Sequence, residues 1–241
     1  PYQWENVKLA DLVQVATGCV TVLENDAHAY AAYEQKLGLG RRTDSFALLL
    51  IRDGVGGAVV IDNQLLPLPM EVGHIPVWPE GRECDCGKHG CVESWAGRRA
   101  IRAVVAELIG LENVDPFERA VKIADGNDDR GRVALHAFSK AGESIARGIA
   151  TVLTLFGPHH VVIYGPDALI GSGRGSAAAD CFMAEVGKFL DHTFRFIEQQ
   201  CELVTESLSP EHPGRGAQGA ALTALNRHFF VSLGSCLEHS Q

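Results

Sequence analysis

The sequence has no long apolar run and no excess of basic charge. Its longest apolar stretches, such as 46–51, fall far short of the ~20 residues that a membrane-spanning helix needs. Lysine and arginine total 21 against 30 aspartate and glutamate residues, which gives a formal net charge of −9. Because a nucleic-acid backbone is bound by clustered lysine and arginine, this balance argues against a general nucleic-acid surface. We expect no membrane role and no DNA-reading module in these residues.

Internal repeats, low-complexity segments and a signal-peptide pattern are also missing. The 241 residues, 46% of them hydrophobic, suffice for a full core in one large domain or two small ones. Of the seven cysteines, three lie close together and four are scattered in apolar contexts: Cys19, Cys181, Cys201 and Cys236. An odd number without a disulfide pattern is typical of a reduced compartment, so we expect a cytoplasmic protein.

Three cysteines and one histidine gather within residues 74–91. Cys84, Cys86 and Cys91 are separated by glycines that let the backbone turn the sulfurs inward. His74 completes a tetrahedral zinc site, with His89 as the second-ranked candidate ligand. Since protein fills all four positions, the zinc is expected to be structural. A disulfide and chance clustering are the alternatives, but Cys84-Asp-Cys86 is too tight for easy closure and the surrounding loop is polar.

The same stretch carries a family resemblance. Residues 71–74 read E-x-G-H and residues 84–93 read C-x-C-G-x-x-G-C-x-E, which together resemble the signature of the ROK family of repressors, open reading frames and sugar kinases. The resemblance implies an α/β fold of the actin-like, RNase H-like type with two lobes. It also implies that Glu71, His74 and Glu93 contact sugar hydroxyls. Taken without the resemblance, Glu93 near a helix N-terminus is equally a capping charge.

A second segment, 24–27, has the sequence E-N-D-A and precedes an alanine-rich helical run. Asp26 at a helix start is, by itself, most simply an N-cap that satisfies free backbone N–H groups. The segment also resembles a ROK motif whose aspartate takes a proton from the sugar hydroxyl in the kinases. The resemblance therefore implies that Asn25 and Asp26 bind the sugar, with Asp26 as catalytic base if the chain is a kinase. His28 stands where the family usually has asparagine.

The glycine-rich segment 52–57 joins two β-rich runs. It suits a phosphate cradle or a hairpin turn, and its spacing alone favours the hairpin. ROK kinases carry a turn like G-T-G-x-G-G-G here, from which Arg52, Asp53 and Ala58 depart. Asp53 would put negative charge where a hydroxyl faces phosphate oxygens. Pro166 is a second departure, because it replaces part of a Gly-Gly pair that lies against adenosine in the kinases.

Apolar periodicity elsewhere predicts alternating helices and strands, as in α/β proteins. Helices are expected at 1–17, 27–37, 94–109, 115–124, 131–156, 177–199 and 214–225. Strands are expected at 19–23, 45–51, 58–61, 159–164 and 202–206, with a tight turn at 62–63 and a loop at 165–169.

By this resemblance residues 1–26 are a remnant of the first ROK lobe, and residues 27–241 form the second lobe with its zinc loop at 74–91. Neither the D-x-G-G-T phosphate loop of the kinases nor the winged helix-turn-helix of the repressors occurs in these residues. The first interpretation is the sugar-sensing effector domain of a ROK transcriptional repressor. We expect it to form homo-oligomers and to reach DNA only through an N-terminal domain outside these residues.

Two alternatives stay open. One is a sugar kinase that uses ATP, Mg²⁺ and Asp26 as base. The other is a domain that binds sugar with neither output. The expected ligand is a neutral polyhydroxylated sugar, because each carboxylate of the site can accept from two adjacent hydroxyls.

Overall fold

The structure is a computed structural model that describes residues 5–68, 70–157, 160–171, 173–193, 201–208 and 214–227. The helices in chain order are α1 Leu9–Thr17, α2 Asp26–Leu37, α3 Glu93–Ala96, α4 Arg98–Leu108, α5 Phe117–Ala124, α6 Asp129–Phe156, α7 Asp167–Ile170, α8 Ala177–Thr193 and α9 Arg215–Leu225. The strands are β1 Phe46–Ile51, β2 Val55–Ile61, β3 Gln64–Leu65, β4 His160–Gly165 and β5 Glu202–Ser207. Short 3₁₀ helices span Leu39–Arg41 and Val72–His74.

The five strands form one mixed sheet in the order β3-β2-β1-β4-β5. β1 pairs antiparallel with β2, and β2 with β3, as expected from a hairpin at 52–57 and a tight turn at 62–63. β1 pairs parallel with β4, and β4 with β5. Asp62 and Asn63 both adopt positive φ, 49° and 59°, as the tight turn between β2 and β3 requires.

Helices cover both faces of the sheet, which explains why β1 is apolar at every position. Its residues Ala47, Leu49 and Ile51 pack into a core formed with α3 to α8. Its alternate residues Phe46, Leu48 and Leu50 pack into a smaller core formed with α2. Helix α9 lies against α2 so closely that a Cβ on Gly219 would lie 1.7 Å from the Ala29 carbonyl oxygen. The sheet therefore fixes β1 and β2 between two helical layers.

Three of the expected elements are wrong in detail. Residues 19–23 form no strand, and their exposed Val20 and Leu23 have no neighbouring strand among the described residues. The helix expected at 94–109 is broken at Gly97, where a Cβ would lie 2.5 Å from the Asp53 carbonyl oxygen. Residues 167–170, expected as loop, form α7. The end of the helix expected at 177–199 and Cys236 lie outside the described residues, as does His159.

Within the described residues, none of the helices combines the length and apolarity that crossing a bilayer demands.

Candidate functional site

The turn between β1 and β2, residues 52–54, lies beside two of the sequence-predicted site residues, Asp26 and Glu93. It is a hairpin, closed by the Arg52 N–H donating to the Gly54 carbonyl at 2.8 Å. Its glycines allow neighbouring side chains to lie close to the backbone. A Cβ on Gly54 would lie 2.4 Å from Glu93 Oε2, and one on Gly57 would lie 2.6 Å from Val72 Cγ2. The hairpin prediction is confirmed, with crowding as the reason for the glycines.

Asn25 and Asp26 stand at the N-terminus of α2, on one side of this turn. Asn25 is the cap, since its Oδ1 accepts from the backbone N–H groups of Ala27 at 2.9 Å and His28 at 3.3 Å. Asp26 Oδ1 also accepts from the Ala27 N–H, at 2.9 Å. Asp26 Oδ2 faces the Arg52 guanidinium, with 3.7 Å to Nη1, and 56% of the Asp26 side chain is exposed. Capping by Asn25 leaves Asp26 directed toward the turn.

Glu93 approaches the turn from another side, as the first residue of α3. Its carboxylate does not cap its own helix. Glu93 Oε2 instead accepts from the Val55 N–H at 2.9 Å, across to the start of β2. Glu93 thus lies in the first turn of α3, as the capping-charge alternative expects, while its side chain reaches the same hairpin as Asp26.

Glu71 precedes the 3₁₀ helix Val72–His74, and His74 is its last residue. This helix rests on β2, where a Cβ on Gly73 would lie 2.2 Å from the Val55 carbonyl oxygen. His74 Nε2 lies 3.8 Å from Glu71 Oε2, and 72% of the Glu71 side chain is exposed. The structure thus places Asp26 and Glu93 at the hairpin, and the 3₁₀ helix that ends at His74 on the adjoining strand β2.

His74 also belongs to a cluster with Cys84, Cys86 and Cys91, whose candidate ligand atoms all lie within 4.8 Å of one another. Cys84 Sγ lies 3.5 Å from His74 Nδ1, and Cys86 Sγ lies 3.7 Å from Cys91 Sγ. Tetrahedral zinc with Zn–S bonds of about 2.3 Å requires sulfur atoms roughly 3.8 Å apart. The cluster can therefore hold a metal ion of the size and softness of zinc.

The backbone around the cluster explains why the loop folds this way. The Cys84 N–H donates to the Lys88 carbonyl, and the Gly87 N–H donates to the Cys84 carbonyl, both at 2.8 Å. Gly90 has a φ of +67°, and a Cβ there would lie 1.5 Å from the Trp78 carbonyl oxygen. His89, the second-ranked ligand, instead directs Nδ1 at the Gly81 carbonyl oxygen, 3.3 Å away, and is not in the cluster.

Burial and hydrogen bonding act differently on the three thiols. Burial raises the pKa of Cys91 to about 12, and it also raises the pKa of Cys84. A hydrogen bond from the Lys88 backbone N–H lowers the pKa of Cys86. Because a metal binds thiolates, an ion in this cluster would displace the protons that burial favours on Cys84 and Cys91.

His74 connects the two halves of the site. Its Nδ1 lies toward Cys84 in the cluster, while its Nε2 lies toward Glu71, another sugar-site candidate. A metal on Nδ1 leaves Nε2 to carry the proton, so the imidazole can donate on the side of Glu71. The metal cluster therefore bears directly on the orientation of one of the sugar-site candidates.

Two arginines that the sequence reasoning did not assign to the site neutralise acidic groups at the turn. Asp53 Oδ1 lies 2.9 Å from Arg98 Nη2, where Arg98 begins α4. Arg52 faces Asp26 as described above. The negative charge expected at Asp53 is therefore present but paired, and its partner comes from a helix that the sequence does not place beside the turn. In the sequence, Arg52 could have been noticed as a site residue because it stands where ROK kinases have a glycine.

Comparison with known proteins gives a family match over most of the chain. The ROK family model matches residues 2–225. A glucokinase from Thermotoga maritima is 33% identical over 67% of this chain and 55% of its own length. A xylose repressor from Caldicellulosiruptor bescii is 28% identical over 70% of this chain and 45% of its own length. An N-acetylmannosamine kinase from Citrobacter koseri is 31% identical over 90% of this chain and 69% of its own length.

Solved structures agree on the fold. A ROK hexokinase from Thermus thermophilus superposes with a TM-score of 0.71 and 25% identity, covering 89% of this chain and 70% of its own. A ROK glucokinase from Streptomyces griseus, in complex with glucose and AMPPNP, gives a TM-score of 0.66 and 25% identity over 91% and 72%. A ROK transcriptional regulator homologous to the E. coli MLC protein gives a TM-score of 0.67 and 24% identity. The match covers 92% of this chain and 56% of the regulator. The chain spans about half the length of several curated relatives that it matches.

Proposed function

Because this chain belongs to the ROK family and has its actin-like fold, we propose that it is the sugar-sensing effector domain of a ROK transcriptional repressor. A sugar binds beside the β1–β2 hairpin, and its binding changes the affinity for DNA of a separate N-terminal domain outside these residues. Residues 1–26 belong to the first lobe and residues 27–241 to the second. The protein acts in the cytoplasm as a homo-oligomer.

The observation that carries this proposal is the ion pair between Arg52 and Asp26, 3.7 Å apart. By the resemblance to ROK kinases, the corresponding turn in those enzymes is a run of glycines that faces phosphate. The aspartate that corresponds to Asp26 is their general base. In this chain Arg52 stands in place of the first glycine, and its guanidinium faces Asp26. The Arg52 side chain takes up space beside Asp26 that a glycine would leave open to a phosphoryl donor, so the arrangement suits sugar binding better than in-line transfer.

The sugar-binding residues in this proposal are Asn25, Asp26, Glu71, His74 and Glu93. Their carboxylates accept hydrogen bonds from hydroxyls, and His74 donates from Nε2. Glu93 is already held by the Val55 N–H at 2.9 Å, so its second oxygen is pre-positioned. Pre-positioned acceptors on rigid elements reduce the entropy lost when the sugar binds.

The metal in this proposal is one structural zinc per chain, bound by His74, Cys84, Cys86 and Cys91. Four protein ligands leave no position for a reactive water. The ion supplies rigidity to the loop and fixes the ring of His74, and no reaction step passes through it.

A second candidate function is an ATP- and Mg²⁺-dependent sugar kinase with Asp26 as general base. The specific observation in its favour is the identity to relatives that are kinases, 33% to a glucokinase and 31% to an N-acetylmannosamine kinase. Asp26 would accept the hydroxyl proton from its place at the N-terminus of α2, and the nucleotide would be held mainly by residues outside this lobe. The two functions share one sugar site and differ in output.

The test uses the full-length protein and the DNA upstream of its own gene. Gel-shift titrations with and without D-glucose, D-xylose and N-acetylmannosamine should show a complex that one sugar weakens by about tenfold or more, the range of ordinary allosteric coupling. A full-length protein that binds no DNA of its own locus, with or without sugar, would contradict the repressor function.

A further inference from the structure

We propose that Arg52 is itself a sugar-binding residue, whose guanidinium donates to the same ligand hydroxyl that donates to Asp26. This inference rests on the sugar site proposed above and adds the group that sets its specificity. It predicts that the site selects a neutral hydroxyl at this position and disfavours sugars with an acidic group there.

The hydrogen-bonding inventory of the site shows what is missing without Arg52. Carboxylates such as Asp26, Glu71 and Glu93 only accept, whereas each sugar hydroxyl both donates and accepts. Asn25 uses its oxygen as the helix cap, which leaves its amide N–H₂ as a donor. With only the Asn25 amide and His74 Nε2 as donors, a sugar that donates to three carboxylates would keep some hydroxyl lone pairs unpaired. Arg52 adds a fork of five N–H donors at this place.

Arg52 is held ready for this contact. Its Nη2 donates to the Tyr30 hydroxyl at 3.2 Å, and its Cζ lies 5.6 Å from the centre of the Tyr30 ring. Tyr30 is in turn packed on Tyr164, with 4.7 Å between ring centres. The Arg52 side chain is 47% exposed, so the guanidinium is oriented by protein and still open to a ligand. Each terminal nitrogen carries a second N–H beyond the contacts named here.

The separation between Arg52 and Asp26 fits a bridging hydroxyl. The 3.7 Å from Nη1 to Oδ2 is longer than a hydrogen bond, so the two groups attract without closing on each other. A hydroxyl oxygen about 2.8 Å from each group can accept from the guanidinium and donate to the carboxylate. Both contacts are to charged groups, which makes them stronger than neutral hydrogen bonds.

The same geometry excludes an acidic substituent at this position. A phosphate or carboxylate lacks a proton to donate to Asp26 at neutral pH, and it would meet the charge of Asp26 at short range. Glu93, on the other side of the hairpin, adds a further negative charge. One guanidinium does not offset both carboxylates.

The experiment is isothermal titration of the full-length protein with D-glucose, D-xylose and N-acetylmannosamine, for wild type, Arg52→Gln and Arg52→Lys. Arg132→Gln is the matched control, because Arg132 forms an exposed ion pair with Asp129 on α6. For the sugar that wild type binds, Arg52→Gln should weaken binding by about tenfold or more, as expected for a lost charged donor. Arg52→Lys should lose less, and Arg132→Gln should bind as wild type does.

Monodeoxy analogues of that sugar identify the bridging hydroxyl. One analogue should lose about tenfold with wild type and clearly less with Arg52→Gln, because one of the two partners of that hydroxyl is already gone and only Asp26 remains. Glucose 6-phosphate and glucuronate should bind more weakly than glucose if glucose is the ligand.

Three outcomes would overturn the inference. Arg52→Gln that binds sugar as tightly as wild type, or more tightly, would make Arg52 a mere neighbour of Asp26 and leave the sugar site standing. An acidic sugar bound about tenfold tighter than its neutral parent would reverse the assigned specificity. Wild type that binds none of the three sugars would remove the proposed sugar site, and this inference with it.

Discussion

The metal loop, residues 74–91 with the four candidate ligands, and the β1–β2 hairpin are neighbours that differ in how their polar groups are buried and paired. In the loop, Cys91 is fully buried and four ligand atoms converge within 4.8 Å. In the hairpin, the charged groups are half-exposed and paired at 3.7 Å and 2.9 Å. The loop is a closed cluster that defines shape, whereas the hairpin is an open set of paired charges that a ligand can rearrange. Changes in the loop should therefore alter stability, and changes in the hairpin should alter binding.

The largest effect is expected from Cys86→Ser. Loss of one thiolate should release the metal and destabilise the loop together, because metal-binding energy is folding energy here. Elemental analysis of the reduced wild type should give about one zinc per chain, the stoichiometry of a single four-ligand site. Cys181→Ser is the control, since Cys181 lies outside the cluster. Wild type with less than about one-tenth equivalent of zinc would remove the metal site.

Removal of the metal should weaken sugar binding, because His74 is both a candidate metal ligand and a candidate sugar-binding residue. Treatment with a chelator frees Nδ1 of this ring and with it the orientation of Nε2, so sugar affinity should fall by about tenfold, as for other losses of ligand-orienting contacts. Calorimetric titration before and after chelation, with zinc restored as control, measures the change. If folded, metal-free protein bound the sugar as tightly as before, metal binding in the loop would have no influence on sugar binding.

Gly54→Ala tests the crowding at the hairpin. The new Cβ would lie 2.4 Å from Glu93 Oε2, so the carboxylate must leave the Val55 N–H. We expect a loss of about 1–3 kcal/mol in the free energy of unfolding, together with weaker sugar binding. Gly187→Ala is the matched control, because no atom lies within 4 Å of its added Cβ. That helical substitution should be neutral or stabilise by up to about 1 kcal/mol.

How far the sequence predicts this molecule depends on whether a feature is local. The candidate metal ligands follow from residue type and spacing, because three thiols and an imidazole within residues 74–91 need only one loop to bring them together. Helix α2 and the turn at Asp62-Asn63 follow from local rules of the same kind. The break at Gly97 does not, since there the chain packs against the carbonyls of Arg52 and Asp53 on a hairpin distant in sequence.

The ion pairs of the hairpin were beyond sequence reasoning for the same reason. Arg98 follows the metal loop in the chain, and only the packing of α4 against the turn brings it to Asp53. Likewise, Arg52 pairs with Asp26 because α2 packs beside β1 and β2. A departure from a family motif can be read from the sequence, but the charge that compensates it cannot.

The smallest effect is expected from Asp53→Asn. The Asp53 side chain is 70% exposed, and surface ion pairs of this kind contribute at most about 1 kcal/mol. Chemical denaturation should show a change of about 0.5 kcal/mol or less, with sugar affinity nearly unchanged. A loss of more than about 2 kcal/mol would show that the Asp53–Arg98 pair holds the hairpin in place.

The most direct test of the sensor function is an assay of the full-length protein with ATP, Mg²⁺ and the sugar that binds most tightly. With Arg52 beside Asp26 and Pro166 in the loop after β4, we expect saturable sugar binding and no measurable formation of sugar phosphate. Turnover of about 1 s⁻¹ or more, ordinary for a kinase, would contradict the sensor and establish the kinase in its place.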